Sequence, residues 1–148
     1  METLLISACL MGYNCKYNGG NNALPEDVLA SLRKRYRLIP VCPEASGGLP
    51  TPRTPSERRG DRVINRDGRD VTAAFRRGAE LAGELAERFD AHTALLKANS
   101  PSCGSGTIYD GSFSGRLVPG DGVTAEYLKS KNLIIFNNPS TCSEFSKD

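Results

Sequence analysis

The chain has 148 residues, 39% of them hydrophobic and 24% charged, with 19 Lys and Arg against 17 Asp and Glu for a formal charge of +2. That length suits one domain spanning the whole chain. No apolar run approaches the roughly 20 residues of a membrane span, and so slight a basic excess does not argue for nucleic acid without a concentrated basic face. The amino terminus METLLISACL lacks the basic region and small-residue cleavage site of a secretory leader, so a cytoplasmic location is expected.

In chain order, TLLISA (Thr3–Ala8) reads as a buried strand. PEDVLASLRKRY follows with Pro25 and two acids in its first turn and Val28, Leu29, Leu32 and Tyr36 at helical spacing. RLIPV (Arg37–Val41) predicts a second strand, with Pro40 placing it at a sheet edge or where pairing stops. The next 20 residues, CPEASGGLPTPRTPSERRGD, hold four prolines and no period, and read as an unusually long loop, a site wall or a lid. RVINRDGRDV predicts a small hairpin turning at Asp67-Gly68. TAAFRRGAELAGELAERFD, Thr72 to Asp90, is the clearest helix, with Thr72 expected as its N-cap and a stripe of Phe75, Ala79, Ala82, Leu85 and Phe89. TALLKA is a third strand, TAEYLKSK a short helix after Gly122, and LIIF a fourth strand. This order implies an α/β fold: a single domain with a mostly parallel sheet of about four main strands and helices on its faces.

Five cysteines, an odd number in a chain expected to sit in a reducing compartment, argue against a disulfide framework and for metal or thiol chemistry. In open α/β sheets ligands bind beyond the carboxyl ends of the strands. Cys9 follows strand one, Cys42 follows strand two, and Cys103 lies just past strand three in KANSPSCG, so three strands each deliver a thiol to one rim. Cys15, in the loop after strand one, can fold back to join them; Cys142 sits in the tail NPSTCSEF. Glycines near these thiols let backbone N–H groups approach an anion or a cluster sulfide. The four thiols are separated by 6, 27 and 61 residues, unlike paired C-x₂-C zinc spacing; thiolate ligation from distant loops also suits an iron–sulfur cluster. One histidine, His92, excludes a histidine-based centre and is expected to be structural or solvated.

The segments SACLMGYNCKYNGGNN, VCPEASGGLPTPRTPSE and LKANSPSCGSGTIYDGSF resemble, in order and along nearly the whole chain, the family of small proteins that includes thiouracil desulfidase. The resemblance implies a 4Fe–4S cluster held by three cysteines, with one iron open to the sulfur of a 2- or 4-thiouracil type base, which is replaced by oxygen with release of hydrosulfide and no net redox change. The ligands it implies come from Cys9, Cys15, Cys42 and Cys103. One thiolate per strand end favours Cys9, Cys42 and Cys103, with Cys15 still open and Cys142 outside the motifs. The family also points to Glu44 as proton shuttle and Ser100 as its partner. Ser102, Lys97 and Asn99 offer further polar groups on the same loop, and Arg53 is expected to contact substrate or Glu44.

Eight arginines between Arg53 and Arg77 form a basic window that reads first as a solvated face and second as a track for phosphates, as an RNA-borne thiobase would need. Two other function classes fit the thiols: a non-catalytic metal module, with structural zinc or a redox-sensing cluster, and a metal-free thiol enzyme. The latter is weakened by the lack of a histidine near any cysteine motif.

Overall fold

A computed structural model describes residues 1–139. Four strands, β1 (Glu2–Ser7), β2 (Tyr36–Val41), β5 (Ala91–Leu95) and β8 (Ile134–Phe136), form one all-parallel sheet in the order β2-β1-β5-β8. Two further pairs, β3 (Ser56–Arg59) with β4 (Arg62–Asn65) and β6 (Thr107–Tyr109) with β7 (Leu117–Pro119), are antiparallel hairpins outside it. The helices are α1 (Glu26–Arg35), the single turn α2 (Pro43–Ser46), α3 (Thr72–Arg88) and α4 (Val123–Ser130). No helix among the described residues is long and apolar enough to cross a membrane.

The alternation of side chains along a strand divides the core in two. Leu4 and Ile6 of β1 pack with Leu10, Leu29 and Leu32 under α1, whereas Leu5 packs with Ala82, Ala86 and Leu128 under α3 and α4. Both faces of the sheet are therefore covered, and β1 is buried from Thr3 to Ser7 with an unbroken apolar run at Leu4, Leu5 and Ile6. β2 lies at the sheet edge, which accommodates the missing N–H of Pro40.

The hairpin expected at Asp67-Gly68 forms: Asn65 N–H bonds the Arg69 carbonyl, Val71 N–H the Val63 carbonyl, and Asp70 lies back against Ile64. Two expectations are corrected. The supposed long loop after Cys42 contains α2 and β3, and β3 pairs with β4 in a second hairpin turning at Gly60-Asp61. β3, Ser-Glu-Arg-Arg, has no apolar alternation to announce it. Thr72 does not cap α3: it is the first helical residue, its hydroxyl accepts the Val63 N–H at 2.8 Å, and its own N–H is taken by Asp70 Oδ1 at 2.9 Å.

α2 reaches its place because two backbones meet without side chains between them. A Cβ on Gly78 of α3 would overlap the Pro43 carbonyl, and one on Gly47 would overlap the Ala74 carbonyl. Since neither backbone can retreat cheaply, Gly78→Ala is expected to destabilise by about 1–3 kcal/mol. That lowers the thermal midpoint by several degrees, about 3 °C per kcal/mol for a chain of this size. Gly83→Ala in the same helix meets only the ring edge of Tyr127, which can rotate, and should shift the midpoint less. Calorimetry of the two variants checks the ranking.

Candidate metal centre and active site

The chain runs from β1 outward to β2 and then crosses to β5 on the other side of β1, so the strand order reverses between β1 and β5. The carboxyl ends of such strands open a crevice. A cavity of about 520 Å³ lies there, and Cys9, Cys15, Cys42 and Cys103 all line it, with Glu44 and Ser100. Cys9 sits in a 3₁₀ turn, Ala8–Met11, closed by Gly12 at φ +96°, whose N–H bonds the Ala8 and Cys9 carbonyls. Asn22 donates to the Cys9 sulfur at 3.6 Å. Cys42 immediately precedes α2, and its thiol faces the Cys15 carbonyl at 3.7 Å.

Cys103 is held by a turn whose geometry follows from Ser-Pro-Ser-Cys-Gly. Ser100 Oγ accepts the N–H groups of Ser102 and Cys103, each at 3.0 Å, and the Ser100 carbonyl accepts that of Gly104 at 2.9 Å. Asn137, just beyond β8, fastens this turn from outside, donating to the Leu96 and Cys103 carbonyls and accepting from the Ser105 N–H. Ser7 Oγ accepts the Lys97 N–H at 2.9 Å and joins β1 to the loop after β5.

Burial pushes the Cys9 thiol up, aided by the neighbouring Cys42. It drives Cys103 to about 12, with Glu44 and Cys9 adding to the effect. Cys15 is likewise pushed up to about 12, by burial and then by Cys42 and Cys9. Several thiolates this close together require a compensating positive charge, which a metal group supplies and Lys97 alone does not. Among the described residues no three His, Cys, Asp or Glu side chains stand where they could hold a single ion. The thiols ring a cavity instead, and an all-sulfur donor set around such a volume fits a polynuclear iron–sulfur group better than one zinc ion.

Arg53 organises the other wall. Its Nε donates to Glu44 Oε1 at 3.1 Å, one terminal nitrogen to the Cys15 carbonyl at 2.9 Å, and the other to Thr51 Oγ1 at 3.0 Å. The guanidinium is 7% exposed and the Glu44 side chain 18%. Burial raises the Glu44 carboxyl, and Arg53 pulls it back in part. Of the two expectations for Arg53, contact with Glu44 is what the structure shows. Lys97 lines the cavity, as does Asn99, whose φ is +66°. Ser102 does not: it is fully buried, with its hydroxyl 2.8 Å from that of Thr124. Cys142 lies outside the described residues.

The family model described as 2-thiouracil desulfurase matches residues 4–139. The chain belongs to the 2-thiouracil desulfurase family. It is 39% identical over 136 residues to a protein of Bacillus subtilis (strain 168) named uncharacterized protein YbbK, covering 85% of this chain and 89% of that one. It is also similar to the solved structure of the 4Fe–4S-dependent thiouracil desulfidase TudS, with a TM-score of 0.92, 41% identity and full coverage of both chains. The expected α/β fold and the family resemblance are both borne out.

The basic window is largely engaged within the molecule. Arg58 pairs with Glu126 and the Asp121 carbonyl, Arg59 holds the Gly111 carbonyl, Arg62 pairs with Asp70 and Arg76 reaches the Asp61 carbonyl. His92 is exposed beside Asp90, as expected for a solvated residue. Sequence reasoning missed Asn22, Asn137, Glu57 and the aromatic residues of the cavity lining, Tyr17, Tyr109 and Phe113. Asn22 had a signal, the asparagine-rich run directly after Cys15; Asn137 had only its position after the last strand.

Removing the Arg53 guanidinium leaves the Glu44 carboxyl buried without its cation. Arg53→Ala should therefore cost about 3 kcal/mol in urea denaturation. Adding Glu44→Gln to that variant should recover part of the loss, because the unpaired charge is gone; a double-mutant cycle with no coupling would refute the pairing.

Proposed function

We propose that this protein is an iron–sulfur-cluster-dependent desulfidase that hydrolyses the C=S bond of a small thiolated uracil-type base, giving the corresponding carbonyl and hydrosulfide. The observation that carries the reading is one cavity, at the switch point of the sheet, lined by the thiols that follow β1, β2 and β5 together with Glu44 and Ser100. The residues that would hold a 4Fe–4S cluster are Cys9, Cys42 and Cys103. Once bound in this way, the cluster supplies a thiophilic Lewis acid with a position for the substrate sulfur.

The chain's own groups account for the rest. Glu44, with one carboxylate oxygen held by Arg53, keeps its other oxygen for the proton of the attacking water and can return that proton to the departing sulfur. Ser100 Oγ already accepts two N–H groups, so its own O–H is left to donate and orients the water or the base carbonyl. Lys97 adds positive charge beside Cys9 and the departing hydrosulfide. Ser102 supports Cys103 from the core side in place of the substrate contact expected of it, and Arg53 positions Glu44, one of the two contacts expected of it. Cys15, on a flexible-length loop instead of a strand end, stands as a bystander thiol. The engagement of the basic window in ion pairs and carbonyl contacts favours a small-molecule substrate over an RNA-borne one.

Anaerobic reconstitution should give iron and acid-labile sulfide in equal amounts, about four of each per chain, with conversion of 2-thiouracil to uracil and sulfide. Cys9→Ser, Cys42→Ser and Cys103→Ser should each lose the cluster absorbance, and Cys15→Ser should keep it. Glu44→Gln should retain iron while kcat falls by about 100-fold or more. Stoichiometric zinc, or iron retained in all three strand-end variants, would sink the proposal.

A further inference from the structure

Three aromatic residues, Tyr17, Tyr109 and Phe113, line the same cavity, and none of them contributes to the proposed metal centre or to proton transfer. Tyr17 is 41% exposed and lies under the Lys16 ammonium; Tyr109 belongs to β6. Phe113 differs from both. It is half-buried, and its backbone adopts φ +57°, a left-handed conformation uncommon for a bulky residue. Such backbone persists only where the surroundings over-determine it, and it gathers at functional sites.

The surroundings are specific. Glu57 Oε1, in β3 and only 9% exposed, accepts the N–H of Gly111 at 2.9 Å and that of Phe113 at 3.1 Å. Arg59 Nε holds the Gly111 carbonyl at 2.7 Å. The Arg66 guanidinium lies over the Phe113 ring, 5.5 Å from its centroid, and also lines the cavity. A buried carboxylate is thus committed to two main-chain donors of one short loop, and that loop carries an aromatic ring to the cavity wall and not into the core. A planar heterocycle entering the cavity with its sulfur toward the thiols needs a flat apolar surface to fix its plane, and aromatic rings bind heterocycles through their faces.

We propose that Phe113 is the platform on which the ring of the thiobase stacks, and that Glu57 is a positioning residue that holds this platform through the Gly111 and Phe113 N–H groups. The proposal rests on the desulfidase reading. It is tested on the reconstituted holoenzyme with 2-thiouracil turnover and, separately, calorimetric binding of uracil, the non-reacting product. Phe113→Ala should raise KM and the uracil Kd about 10-fold, with kcat within about 2-fold of wild type. Phe113→Tyr should bind as wild type does, and Phe113→Leu, which keeps apolar bulk without a π face, should resemble the alanine variant. Glu57→Ala should reproduce the KM effect, and Glu57→Gln, whose amide oxygen still accepts, should restore most of it.

Wild-type uracil affinity in Phe113→Leu, in a protein that turns over 2-thiouracil, would overturn the stacking role and leave the desulfidase reading standing. Glutamine failing where alanine fails would overturn the positioning role. An iron-loaded wild type that neither binds uracil nor consumes 2-thiouracil would remove both proposals. Should Phe113→Ala not load iron, the leucine and tyrosine pair still decides the question.

Discussion

Parallel pairing of β1 with β2 on one side and β5 on the other is the constraint from which the cavity follows, because parallel strands all end in the same direction. The register makes those ends level: Ser7 lies opposite Val41, and Ile6 opposite Leu95. Chain leaving β1, β2 and β5 therefore enters the same region, and a thiol placed soon after each strand arrives there without any long-range steering. A slip of one residue would turn Leu5 toward α1 and Leu4 and Ile6 toward α3, so burial on both faces holds the register. The position of the thiols is in this sense a by-product of packing leucines.

Polar groups then set the distances that the sheet leaves open. Ser7 and Lys97 tie β1 to the segment after β5, Asn137 ties that segment to the end of β8, and Arg53 ties α2 to the Cys15 loop. Each of these contacts satisfies a main-chain carbonyl or N–H, as buried backbone groups require. Among the described residues no fully buried side-chain nitrogen or oxygen lacks a partner. Irregular loops can line a cavity only if their backbone is satisfied in this way, so the residues that shape the site are also those that let it exist. The glycine contact between α2 and α3 belongs to the same logic: Glu44 is held two residues from Cys42 because Pro43 can rest directly on Gly78.

What could be read from the sequence was what local pattern determines. LLI at β1, the stripe of α3 and the cysteines beyond three strands are periodic or positional signals, and they were enough for the sheet and for one rim carrying thiols. β3 was illegible because Ser-Glu-Arg-Arg has no apolar alternation; what stabilises it is Glu57 reaching a loop 54 residues away. The N-cap assignment of Thr72 failed for a similar reason, since its hydroxyl had a distant alternative in the Val63 N–H. Arg53 meets Glu44, one of the two partners expected of it, whereas Ser102 turns to Thr124 in the core instead of the cavity, because sequence order does not say which way a side chain in a loop faces.

The two largely buried carboxylates of the cavity wall show how such facing decides chemistry. Glu57 and Glu44 are the same residue type, and both line the cavity. Glu57 directs one oxygen at two main-chain N–H groups, donors that cannot move without unfolding the loop, so its role is to hold position. Glu44 shares one oxygen with a guanidinium, a single side chain that also holds the Cys15 carbonyl, and burial raises its carboxyl against that partner. Opposed influences of this kind bring the protonated and ionised forms closer in energy, which is the condition for a group that passes a proton back and forth. A carboxylate pinned by backbone is suited to holding geometry, and one balanced between burial and a cation is suited to the proton transfer proposed for Glu44. The parallel sheet places both on one cavity wall, Glu57 on β3 and Glu44 on α2.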